Sequence, residues 1–130
     1  MAHYLDTSAL AKLIVPEAET DALRAWLAAE DRQATACELV RPELLRAVRR
    51  VAPSQDLRAW LVLELVTLTE VTRETWFNAA TVGAPTLRTL DAVHLAAALD
   101  LGSDLEAMVT YDQRLADAAR ACGIRVIAPV

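Results

Sequence analysis

Short apolar runs of strand length alternate with helical segments along this chain, and the connections between them carry no hairpin signal. That alternation constrains the fold more than any other feature. Strands without tight turns between them pair in parallel, through helical crossovers, so the pattern predicts an α/β layer fold with a mainly parallel sheet. The 130 residues hold no repeat, low-complexity tract or linker, and read as one domain over 1–130.

Residues 3–5 suit a short strand. Ser8 reads as the N-cap of a helix over 9–15 that Pro16 ends. Leu23, Trp26 and Leu27 at i, i+3, i+4 make 18–30 an amphipathic helix. Residues 33–37 suit a second strand, and Pro42 sits in the first turn of a helix continuing over 43–51. After a break at 52–55, Leu57, Trp60, Leu61, Glu64 and Leu65 recur at helical spacing. A strand over 66–71, a helix over 73–82 capped by Thr72, a loop at 83–85 and a helix over 90–101 capped by Thr89 follow. The chain closes with a strand over 107–111, a helix over 113–122 ended by Gly123, and a strand over 124–128.

Composition narrows the function. A formal net charge of −5 argues against a general nucleic-acid coat, which is normally basic, but does not exclude an enzyme whose acidic site is neutralised by metal. No stretch approaches the roughly 20 apolar residues of a membrane span, and His3 and Asp6 interrupt any apolar signal core. The expectation is a cytoplasmic protein. Cys37 and Cys122 match no zinc or redox spacing and read as two buried free thiols.

Four acids fall where such a fold gathers ligands. Asp6 and Asp112 end apolar strands, Asp91 opens the apolar helix DAVHLAAAL, and Glu43 sits early in PELLRAVRR. In parallel sheets, ligands collect outside the carboxyl ends of the strands, and the following helices begin there too. Each acid alone is also a natural helix cap or dipole partner. Asp91 is the sharpest case, because the helix behind it is apolar almost all round and belongs in the interior. Clustered carboxylates repel one another and need a cation; oxygen ligands favour Mg²⁺ or Mn²⁺, and such a site suits phosphate-ester hydrolysis.

LDTSALAKL, PELLRA, LDAVHLAAAL and VTYDQRLADAA, in that order, resemble the acidic motifs of the PIN-domain superfamily, most closely its VapC-type toxins. The resemblance covers nearly the whole chain. It implies a three-layer α/β/α sandwich and a Mg²⁺- or Mn²⁺-dependent endoribonuclease belonging to a toxin–antitoxin pair. It implies a catalytic set of Asp6, Glu43, Asp91 and Asp112, with Asp6, Asp91 and Asp112 as metal ligands and Glu43 orienting or deprotonating water. It further implies a VapB-like antitoxin partner, an RNA substrate and a homodimer. Glu38 also precedes the third helix; Glu43 is preferred because it lies in ELLRA behind Pro42. A PIN-like DNA nuclease and an inactive PIN-like binding module are the alternative readings. A haloacid-dehalogenase-like phosphatase fits poorly, since Ser8 stands where its second Asp belongs.

The neighbours of the acids divide between roles. Thr7, Ser8 and Thr110 carry hydroxyls placed to hydrogen-bond them. Arg46 and Arg50 share a face with Glu43, as RNA-phosphate contacts or as intrahelical partners of Glu43. Arg41, Arg49, Arg88 and Arg114 are further phosphate candidates. His94, at i+3 from Asp91, reads as a satisfied core histidine, His3 as incidental, and Asp117 as a solvated charge. Trp26 and Trp60 are expected in the core, with a dimer or antitoxin groove as the sharper alternative.

Overall fold

In the computed structural model, which describes all of Met1–Val130, five strands lie parallel in one sheet. They are β1 (Ala2–Leu5), β2 (Gln33–Cys37), β3 (Thr67–Thr69), β4 (Leu105–Val109) and β5 (Val126–Ile127), in the order β3-β2-β1-β4-β5. Tyr4 stands level with Thr35 on one side and Met108 on the other. The chain steps outward from β1 to β2 and β3, then returns to lay β4 and β5 on the opposite flank. The order therefore reverses between β1 and β4, and the crevice beyond their carboxyl ends is where a sheet of this kind binds ligands.

Seven helices cover the sheet: α1 (Thr7–Lys12), α2 (Thr20–Ala28), α3 (Val40–Val51), α4 (Asp56–Leu65), α5 (Arg73–Ala79), α6 (Thr89–Asp100) and α7 (Gln113–Ala121). Alternation along the strands assigns each side chain to a layer. Leu5, Ala36 and Val109 join Leu10, Leu23, Leu44 and Leu63 of α1 to α4. Their neighbours Tyr4, Cys37 and Met108 join Val93, Leu95, Leu115 and Ala119 of α6 and α7. Two cores, one on each face, make the three-layer α/β/α sandwich. A fully buried α6, from Ala92 to Ala98, explains why its sequence is apolar almost all round.

Several local expectations change. Asp6, not Ser8, caps α1: its carboxylate accepts from the Ala9 amide, and the helix starts at Thr7. Thr89 lies inside α6, whose N-cap is Arg88, with no side-chain cap bond. Thr72 does cap α5, in a reciprocal arrangement with Thr75. Gly123 adopts φ 81° after α7, and the Gly123 and Ile124 amides return to Arg120 and Ala119, a Schellman ending that only glycine reaches without strain. β3 is shorter than the expected strand, and β4 begins and ends two residues early. The Tyr111 amide turns instead to the Ser8 hydroxyl, which carries Asp112 into a cap position.

α4 presents a different face from the one its periodicity suggests. Ala59 and Leu63 point inward, whereas Leu57, Trp60, Leu61 and Leu65 are exposed. DLRAWLVLEL is apolar on two faces, so spacing alone does not choose between them. Trp26 packs edge-on against His3 and beneath Arg32, half-buried. Cys37 is buried, but Cys122 is exposed, because it is the residue at which the chain leaves α7.

Candidate active site

Asp6 leaves β1 at its carboxyl end and is 4% exposed. Its Oδ1 accepts from the Ser8 hydroxyl at 2.7 Å and the Ala9 amide at 3.1 Å, and its Oδ2 from the Thr110 hydroxyl at 2.7 Å. Burial pushes its carboxyl above the ordinary range, against the three donors that hold the charged form. The Thr110 hydroxyl also receives the Asp112 amide at 3.1 Å, so one side chain ties the end of β1 to the end of β4.

Asp112 spends Oδ1 on capping α7, through the Arg114 and Leu115 amides. Its Oδ2 lies 3.1 Å from Arg88 Nη2, while Arg88 Nε is 3.1 Å from Asp91 Oδ2. One guanidinium thus bridges two acids that are 21 residues apart in the chain. Their side chains are 17% and 23% exposed, and that of Arg88 65%. The bridge is a lid of charge over partly covered carboxylates.

Glu43 occupies the remaining corner. Its Oε1 accepts from Thr7 Oγ1 at 2.8 Å and His94 Nε2 at 2.6 Å. His94 Nδ1 lies 2.8 Å from the Tyr4 phenol oxygen, which also accepts from the Cys37 amide. Burial works against a charged imidazole, but its interactions with Cys37 and Glu43 override burial and raise His94 to about 10. For Glu43, burial is likewise outweighed by His94 and Thr7, so its carboxyl titrates below the ordinary range. The pair crosses the end of the sheet, from α3 in one helical layer to α6 in the other.

These links close a ring: Glu43 to His94, along α6 to Asp91, through Arg88 to Asp112, through Thr110 to Asp6, and through Thr7 back to Glu43. All four acids singled out in the sequence lie on it. Glu38 does not; it pairs with Arg41 on the surface. Arg46 and Arg50 are exposed on α3 and make no ion pair with Glu43. Arg49 and Arg114 are also exposed, and Asp117 pairs with Gln113 and Arg120 in solvent.

No three His, Cys, Asp or Glu side chains stand close enough to ligate one ion together. The donor chemistry nevertheless suits a hard cation. Every candidate ligand is a carboxylate, and Asp91 and Asp112 already share one positive group. Asp6 has protein donors on both oxygens. An ion that keeps several of its waters and reaches such acids through them fits this set; a dehydrated all-protein cage does not.

The sequence matches the family model for the PIN domain over residues 3–121. The chain belongs to the PIN-domain family. Among curated proteins, this PIN domain is 43% identical to Ribonuclease VapC47 of Mycobacterium tuberculosis, covering 97% of this chain and 96% of that protein. Among solved structures it is similar to Mycobacterium tuberculosis VapC20, described as a sarcin–ricin loop cleaving toxin, with a TM-score of 0.79. That match is 16% identical and covers 98% of this chain and 100% of the other. A toxin–antitoxin complex from Klebsiella pneumoniae superposes with a TM-score of 0.73 at 19% identity, covering 99% and 98% of the two chains.

Two parts of this PIN domain's ring escape a reading of its sequence. Placing His94 in the core is correct for its burial but misses its grip on Glu43. The available signal is one imidazole at i+3 from Asp91 on an otherwise apolar helix. Arg88 is one arginine among several in the sequence. Its place at i−3 from Asp91, just outside the helix, is the spacing that lets it reach both aspartates.

Proposed function

We propose that this protein is a metal-dependent endoribonuclease, the toxin of a toxin–antitoxin pair. The observation that carries the reading is the ring itself: four acids from distant parts of the chain meet at the reversal point of a parallel sheet. The near-full-length identity to a protein named a ribonuclease supports RNA as substrate. The likeness to a chain of a toxin–antitoxin complex is compatible with an antitoxin partner. The exposed apolar side chains of α4, and Trp76 and Phe77 of α5, give a homodimer partner or an antitoxin surface to cover.

In this reading Asp6, Asp91 and Asp112 hold Mg²⁺ or Mn²⁺, in part through water. Held there, such an ion would supply Lewis-acid polarisation of a phosphoryl oxygen and a more acidic water. Thr110 and Ser8 keep Asp6 in one orientation. Glu43 orients the attacking water; its carboxyl, held below the ordinary range by His94 and Thr7, accepts that water's hydrogen bond in the ionised form and is a poor base for its proton. Arg88 neutralises Asp91 and Asp112, and its exposed guanidinium at the mouth of the site is suited to a phosphate. Arg46 and Arg50 extend the phosphate path along α3.

Co-purification with the product of a neighbouring gene, followed by its removal, tests the whole reading. The released protein should cleave RNA from a total-RNA pool with Mg²⁺ or Mn²⁺ and stop in EDTA. Asp6→Asn and Asp91→Asn should each remove at least the ~10²-fold that even indirect metal partners supply, with the fold retained. Failure to cleave any RNA after clean release, or preference for single-stranded or flap DNA, would refute the ribonuclease assignment.

A further inference from the structure

His94 is a buried group with no assigned role in that chemistry. Its side chain is 3% exposed, yet both ring nitrogens have polar partners. A core histidine serving only to fill space would be satisfied by any nearby carbonyl. This one joins a chain running from the Cys37 amide of β2, through the Tyr4 phenol of β1, to the imidazole of α6 and the Glu43 carboxylate of α3.

His94 and Thr7 both meet Oε1 of Glu43, and no protein donor meets Oε2. The single buried polar side-chain atom without a partner is His3 Nδ1, so Oε2 is open to solvent. A glutamate has three rotatable bonds, and two donors on one oxygen remove most of that freedom. The Nε2–H donates to a carboxylate in the neutral and the charged imidazole alike, so the grip survives a change of protonation.

We propose that His94 is a positioning residue for Glu43, holding Oε1 from the buried side so that Oε2 faces the water that attacks the phosphodiester. This inference rests on the ribonuclease reading above. His94 touches neither the substrate nor an ion; it acts through Glu43 alone. A purely structural histidine would cost stability when replaced, with no kinetic signature tied to Glu43.

The test uses the full chain freed of antitoxin, with end-labelled RNA from the total pool as probe and Mn²⁺ as the ion. His94→Leu should lower kcat by about 10²-fold, the scale on which misplaced groups act, with KM for RNA and Mn²⁺ affinity unchanged. His94→Gln keeps a donor toward Oε1 and should restore part of that activity. Tyr4→Phe, which frees the far side of the imidazole, should show a smaller drop in kcat. In a Glu43→Gln background, His94→Gln should cost nothing further. If His94→Leu fails to fold by circular dichroism, the Gln and Phe variants carry the test. Folded variants with wild-type kcat, or the same drop with and without Glu43, would overturn the role of His94 while leaving the ribonuclease intact. A wild-type protein that cleaves no RNA would take both readings down together.

Discussion

The two corners of the acid ring are neutralised in opposite ways. At one, Glu43 meets an imidazole that is 3% exposed and fastened on its far side by Tyr4. At the other, Asp91 and Asp112 share a guanidinium that is 65% exposed and pairs with no other acid. Both place positive charge beside carboxylates at about hydrogen-bond distance. Their energetics differ because the dielectric surroundings differ. A buried partner cannot be replaced by water, so its removal strands a charge. An exposed partner can be replaced by water, by salt or by another cation at little cost. One corner is suited to hold a geometry, and the other to exchange its counter-ion.

The largest expected effect breaks the buried corner. His94→Leu should destabilise the fold by about 3 kcal/mol in urea titration, since Glu43 keeps only Thr7 as partner. Arg88→Gln, an equal change of formal charge, should leave the urea midpoint close to that of the wild type, because solvent already screens this exposed guanidinium. Similar destabilisation at both sites would erase the distinction.

A pH series sharpens the same contrast. The folded pKa of His94 is raised from 6.5 to about 10, so the stability it contributes is fully present below 6.5 and disappears as pH rises through about 10. Wild-type stability should therefore fall across that window more steeply than that of His94→Gln. Parallel curves would mean that the imidazole is not charged in the fold.

Smaller effects belong to the open corner. Arg88→Gln should tighten Mn²⁺ binding by up to about tenfold by calorimetry, because the ion no longer competes with a resident cation. Unchanged or weaker binding would show that Arg88 helps to hold the ion instead. Smallest of all, Arg46→Ala or Arg50→Ala should lower the salt dependence of RNA binding by about 0.7 in log–log slope for each phosphate no longer neutralised. A slope that stays put would remove that arginine from the phosphate path.

Legibility in the sequence follows the range of the interactions. Asp6, Asp91 and Asp112 are readable because strand ends and helix starts are local features, and a parallel sheet sends them to one edge. The strand–helix alternation yields the layered fold for the same reason. The exposed face of α4 is not readable, because Leu57, Trp60, Leu61 and Leu65 compete with Ala59 and Leu63 for the core and only packing against α3 and β3 decides between them. Nor is the partner of Glu43: Arg46 and Arg50 stand at favourable spacing on its own helix, yet His94, 51 residues later, takes that place. Strand lengths slip by a few residues where side chains take over backbone partners, as Ser8 does for Tyr111.

The Glu43–His94 pair hangs from opposite slabs of the sandwich, so it braces those slabs against shear at the rim of the sheet. A displacement of α3 relative to α6 at this rim would strain a 2.6 Å link. Registry between the slabs is thus coupled to the aim of the carboxylate through this pair.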